Sequence, residues 1–340
     1  DLGIGDAQLG FLYGTAFAIF YALFGIPLGR IADRTHRLRL LAGALALWSL
    51  MTVLSGFARN LSQLTFARIG VGVGEAAANP CAYSLIADWF PGRMRATALA
   101  IYSSGLFVGS GVSLAIGGVI VEQWERAYPV DAPLGLAGWQ AAFVAVGLPG
   151  LLLAAWLLTL REPARERPVT ARAGGSWIGH MAAIIPPLTL LAAARRGRAA
   201  LAANLAGAAL AALLAVIAAL QFGNPAQFAF IAIGCYATFS WASALRSEDP
   251  ATFACTWGNG AFVAIVLAYS AVCYIGYTVT YWAAPYAERT FALSKPELGL
   301  LIGAPSALGG FAGVLCGGWL ADRLHGRNPA GRLLVPLGAL

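Results

Sequence analysis

Long apolar runs, divided by short loops that carry arginine, succeed one another along nearly the whole chain. The pattern predicts helices at 9–31, 39–58, 62–87, 97–121, 139–160, 199–220, 226–245, 255–285 and 296–321, with a further one starting near 332. Most of these runs reach the roughly 20 residues that carry a helix across the hydrocarbon of a bilayer. In lipid the backbone must satisfy its own polar groups, so only helices and closed barrels can span. Runs rich in Ala and Leu without strict alternation exclude the barrel. Segment 177–194 is apolar but short, and Pro186 and Pro187 break it, so an interfacial or re-entrant piece is expected there.

Composition agrees with the pattern: 59% of residues are hydrophobic and 11% charged, against about 25% charged in a soluble domain. The net charge of +7 does not mark a nucleic-acid protein. Every basic residue except Lys295 is an arginine, and they gather in loops between the runs rather than on one face. In the predicted layout only Arg59, Arg126, Arg289 and Lys295 fall on one side, Arg68 lies inside a helix, and all the others fall on the opposite side. The positive-inside rule makes that Arg-rich side cytoplasmic, and a bacterial inner membrane is the expected location. The five cysteines lie in or beside apolar runs without a CxxC pair and read as small packing residues. HExxH, GxSxG, a phosphate loop and paired His/Asp metal spacing are all missing from the sequence, so neither enzyme chemistry nor a metal or cofactor is expected.

Arg68 and Glu75 are the main chemical signal. A charge at the centre of a span costs about 2.5–3.5 kcal/mol on insertion scales, so it needs a partner or a wet cavity. Seven residues are nearly two turns, which puts both groups on one face about 10 Å apart along the axis. Gly72, Asn79 and Tyr83 continue the stripe. Burial favours a neutral Glu75 and a nearby Arg68 favours its carboxylate; a group pulled both ways is a candidate for proton exchange. A permanent ion pair that locks helix packing is the competing explanation.

The chain also repeats itself. Gly29-Arg-Ile-Ala-Asp33-Arg34 follows the first predicted helix, and Gly318-Trp-Leu-Ala-Asp322-Arg323 follows the last complete one. With Arg37 and Arg39, the first copy resembles the loop signature between helices two and three of the major facilitator superfamily, whose weaker copy follows helix eight. Arg68-Ile-Gly-Val-Gly-Val-Gly-Glu75-Ala, with Pro80, Asp88-Trp-Phe-Pro91 and Ala96-Thr-Ala-Leu-Ala-Ile-Tyr102-Ser, resembles the spinster-like branch, which is associated with lysolipids and sphingoid lipids.

The resemblance implies an all-α polytopic membrane protein of two pseudo-symmetric six-helix bundles. Residues 1–162 would be family helices two to six, and 251–340 helices seven, eight and the start of nine. Residues 163–250 would hold a linker, the interfacial segment and two extra helices, and helix one with most of nine to twelve would be absent. It also implies a cytoplasmic gate built from Gly29, Asp33, Arg34, Arg37, Asp88, Asp322 and Arg323. From charge placement alone, Asp33, Arg34 and Arg37 lie at the membrane edge and equally suit plain topology signals.

Tyr13, Phe17, Phe20 and Phe24 form one helical stripe, and Tyr274, Tyr277 and Tyr281 another; with Tyr102 and Asn259 they are cavity-lining candidates, although such stripes more often meet lipid or a neighbouring helix. Gly25-x3-Gly29, Gly105-x3-Gly109 and Gly309-x3-Gly313-x3-Gly317 are expected to bring helices close together. The resulting expectation is a monomeric secondary transporter working by alternating access, with protons coupled through Glu75 and a lipid-like amphiphile as substrate among the membrane lipids. The alternative substrate is a small organic anion such as a sugar acid, held through its carboxylate by Arg68.

Overall fold

The computed structural model describes residues 2–165, 177–291 and 293–325, and every regular element among them is helical. The helix anticipated near 332 lies outside the described residues. The helices are α1 (Asp6–Arg34, with a π-helical turn at Phe11–Thr15), α2 (Arg37–Ser55), α3 (Leu61–Glu75), α4 (Ala78–Trp89), α5 (Arg95–Ala127) and α6 (Gly138–Leu157). They continue with α7 (Trp177–Ile184), α8 (Leu188–Arg196), α9 (Arg198–Phe222), α10 (Pro225–Glu248), α11 (Pro250–Cys255), α12 (Gly260–Phe291) and α13 (Ala304–His325). A second π-helical turn, Gly299–Gly303, leads into α13. Eight helices among the described residues are long and apolar enough to cross a membrane.

Local chemistry sets several of the boundaries. An N-terminal turn leaves backbone N–H groups without intrahelical partners, and a short polar side chain ahead of the helix satisfies one of them. Asn60 accepts from the Gln63 N–H at 2.9 Å to open α3, and the Gln63 side chain accepts from the Arg59 N–H at 2.7 Å. Asn224, at φ 53°, joins α9 to α10, and Pro225 follows it at the first helical position, where a missing N–H costs nothing.

One expectation is corrected. The single helix predicted over 62–87 is two helices, α3 and α4, separated by a turn at 76–77. Pro80 has no N–H for the carbonyl four residues earlier, at Ala76, and its ring crowds that carbonyl, so the helix breaks where the apolar run does not. Segment 177–194 is the helix pair α7 and α8, interrupted at Pro186-Pro187.

The chain forms two compact units that cut across the consecutive segments 1–162, 163–250 and 251–340 of the sequence reading. The first comprises Asp1–Pro80, Gly147–Thr159 and Val169–Thr278; the second comprises Cys81–Val146, Leu160–Pro168 and Val279–Leu340. In the first unit α3 lies between α1 and α2, and its glycines set the spacing. A Cβ on Gly72 would stand 2.6 Å from the Phe17 carbonyl of α1, and one on Gly74 would stand 2.8 Å from the Trp48 nitrogen of α2. Alternate glycines thus admit a backbone on each flank. The first unit also docks α10 along α1: Asn224 donates to the Ala7 carbonyl, Gly234 receives Ile19, and Ala237 packs with Leu23. The residue numbers rise together, so the two helices run in the same direction.

In the second unit α5 packs along α13 and the turn before it. The close approaches are Gly299 on Ala115, Gly303 on Gly111, Gly310 on Phe107 and Gly318 on Ala100. This corrects the glycine ridge expected from the sequence, because a Cβ at Gly105, Gly109, Gly309 or Gly313 would meet nothing within 4 Å among the described residues. Gly309 and Gly310 are neighbours in sequence but point about 100° apart around a helix of 3.6 residues per turn, so the apposed ridge is the adjacent one.

Candidate functional site

The site in the first unit is built where α1 meets α3 and the start of α4. Arg68, Gly72 and Glu75 follow one another on one face of α3, and both charged side chains are partly buried. The Arg68 guanidinium lies over the Phe17 ring, 5.3 Å from its centroid. Phe17 stacks on Tyr21 at 5.5 Å, and the Asn79 side-chain amide donates to the Tyr21 hydroxyl at 2.7 Å. The small Gly72 lets these groups meet, since its backbone lies against Phe17 and Tyr21. Glu75 closes α3 immediately before the turn that Pro80 causes.

The ring quadrupole of Phe17 attracts the Arg68 cation. A guanidinium held in this way presents a planar fork of donors suited to a carboxylate or phosphate. Tyr21 was absent from the sequence reading, although it stands one turn beyond Phe17 and so on the same face of α1.

The remaining candidates separate. Phe20 meets Phe230 of α10 at 5.9 Å and is a helix-packing residue. Asn259 accepts from the N–H groups of Ala261 and Phe262, which makes it the exposed cap that starts α12. Tyr274 and Tyr277 are exposed on α12, Tyr281 is partly exposed farther along it, and Tyr13 is exposed in the π-turn of α1. In the second unit Tyr83 and Tyr102 form an edge-to-face pair at 5.8 Å.

The gate residues also take definite positions. Gly29 packs on Pro80, with 3.6 Å from its would-be Cβ to the ring. Asp33 and Arg34 are exposed, whereas Arg37 is buried at 1% exposure. Arg37 thus starts α2 as a buried cation, which requires compensation from its neighbours. In the second unit the Asp322 carboxylate accepts from both the N–H and the hydroxyl of Thr97, each at 2.9 Å. Thr97 is the third residue of α5, so an acidic group from the end of α13 caps the positive end of another helix. Arg323 lies over Trp319 at 5.0 Å. Arg95 donates to the carbonyls of Ala87 at 2.7 Å and Phe90 at 3.0 Å, closing the end of α4 beside Asp88.

The family model described as Major Facilitator Superfamily matches residues 1–340. An efflux pump of Mycolicibacterium smegmatis is 34% identical over 182 residues, which is 52% of this chain and 39% of that protein. A probable L-galactonate transporter of Escherichia coli is 29% identical over 163 residues, 48% of this chain and 33% of that protein. The matched stretch is therefore less than half the length of each of these two relatives. Among solved structures, a bacterial homologue of the human lysosomal transporter Spinster, inward-facing and unoccupied, aligns with 98% of this chain and 88% of its own at 23% identity and a TM-score of 0.47.

Proposed function

Because the chain belongs to the Major Facilitator Superfamily, a family of transporters, we propose that the whole protein moves an amphiphile bearing one anionic group by alternating access, with protons coupled through Glu75. The observation that carries this reading is Arg68 held over Phe17, beside the Tyr21–Asn79 hydrogen bond and on the same face as Glu75. Arg68 supplies the donors for an oxyanion, and the rings of Phe17 and Tyr21 supply an apolar wall. Ionisable residues at membrane depth mark substrate and ion pathways. Midplane sites that alternately face the two sides are the general plan of secondary transporters. The spinster-like motif around Arg68 and Glu75 supports a lysolipid or sphingoid lipid as the amphiphile.

A sugar acid is the second reading, favoured by the likeness to the probable L-galactonate transporter. Its carboxylate would take the same place on Arg68, and the two substrates differ in whether an apolar tail is required.

Flux in proteoliposomes decides between them. With an imposed proton gradient, wild type is expected to move a lysolipid, and Glu75→Gln is expected to bind it while losing the gradient dependence. Unchanged gradient dependence in Glu75→Gln removes the coupling assignment. Flux of galactonate with none of lysolipid replaces the amphiphile by the sugar acid.

A further inference from the structure

Arg196 ends α8 at the junction with α9, and its side chain is only 10% exposed. Both terminal guanidinium nitrogens are buried and meet no hydrogen-bond acceptor among the described residues. Its Nε reaches the Ala192 carbonyl at 3.5 Å and stands 3.8 Å from the Glu248 carboxylate, whose own side chain is half exposed. A buried cation whose donors go unused is costly, and Glu248, on the Nε side, leaves the two terminal nitrogens without an acceptor among the described residues. Arg195 and Arg198 flank it, exposed, and Glu248 is the carboxylate at its side. Asp249 is already engaged in capping α11 through Thr252.

Of the helices at Arg196, α10 also borders an apolar groove of about 630 Å³. Ile19, Leu23 and Ile26 of α1 form one wall, Gly234 and Cys235 of α10 another, and Ile184 closes α7 against it. Its last lining residue on α10 is Ala242, six residues before Glu248, or about 9 Å along the helix. Glu248, and with it Arg196, therefore lies beyond that end of the groove. Free phosphate would satisfy the cation and leave the groove empty. A neutral lipid would fill the groove and bring no net charge.

We infer that α1, α7, α8 and α10 form a binding site for one anionic glycerophospholipid, its phosphodiester on the terminal nitrogens of Arg196 and an acyl chain in the groove. Glu248 swings outward as the phosphate enters. The lipid is a resident of the transporter and distinct from its cargo, so the inference stands apart from the transport reading.

Cys235 lies in the groove and reports its occupancy. The intact transporter, keeping Cys235 as its only cysteine, is purified in neutral detergent and labelled with a maleimide. Labelling is followed with added palmitoyl-oleoyl phosphatidylglycerol, the matched phosphatidylcholine, or inorganic phosphate. Phosphatidylglycerol is expected to protect Cys235 at about tenfold lower concentration than phosphatidylcholine, the effect of one charge-assisted hydrogen bond. Arg196→Gln is expected to erase that preference, Arg196→Lys to keep part of it, and Arg198→Gln to leave it intact. Equal protection by phosphatidylcholine overturns the headgroup assignment, and protection by phosphate alone overturns the lipid. Loss of the preference in Arg198→Gln overturns the role of Arg196 in favour of diffuse surface charge. Should Arg196→Gln fail to fold, the wild-type comparison and Arg198→Gln decide.

Discussion

At the scale of single residues, two carboxylates carry most of the meaning. Asp322 accepts two hydrogen bonds from Thr97 across helices, and its charge faces the positive end of α5. Asp322→Asn keeps the shape and removes the charge. It is expected to cost about 1 kcal/mol, the typical worth of such a cap, seen as a lower thermal midpoint in detergent and a changed ratio of inward to outward accessibility. An unchanged midpoint and ratio would mean that the contact is incidental. Glu75 stands where the sequence put it, on a face with Arg68, because seven-residue spacing survives in any regular helix. The partners of that face were less legible. Tyr21 was missed because an aromatic stripe read by itself does not reveal which ring stacks on a cation. The burial of Arg37 was not legible, because sequence shows proximity to a helix end and not the neighbours that cover it.

At the scale of helices, lengths and order were legible from the apolar runs, since a bilayer fixes how long a span must be. The break between α3 and α4 was hidden because apolar residues continue through it and only Pro80 marks it. Helix contacts were legible in kind, as glycine ridges, but not in register, because adjacent glycines point to different neighbours. The alternating glycines of α3 give a sharp comparison. A methyl group at Gly72 would meet the rigid Phe17 carbonyl, whereas one at Gly70 would meet the flexible end of Met51 at 2.6 Å. Gly72→Ala is expected to destabilise by about 1–3 kcal/mol, the usual range for overpacking. Gly70→Ala is expected to cost less because Met51 can move aside. Thermal unfolding of the two variants checks the order, and a reversed order would contradict the packing of α3 between α1 and α2.

At the scale of the whole chain, the helices α9 and α10 raise the question of what an additional pair contributes. Helix α10 follows α1 from Asn224 at one end to Trp241 toward the other, so the pair adds a flank to an existing helix. In lipid such docking rests on packing and hydrogen bonds, because hydrocarbon already solvates the exposed faces. Excision of residues 198–248 from the intact protein is therefore expected to leave folded, flux-competent protein with a lower thermal midpoint. Loss of all folded protein would make the pair part of the core. The chain's internal symmetry also runs deeper than its six-residue signature. Each copy is preceded, at nearly the same distance, by a π-helical turn: Phe11–Thr15 before Asp33 and Gly299–Gly303 before Asp322. Such a turn holds one residue more than its α-helical counterpart, is rare, and is frequent at functional sites. Gly14 and Gly303 each stand 19 residues before the aspartate of their copy, as the fourth and the fifth residue of their turns. The simplest history is that the surplus residue entered an ancestral half before that half was copied, and both descendants have kept it. On that history the irregularity is older than the separation of the two copies, and it belongs to the fold before it belongs to any substrate.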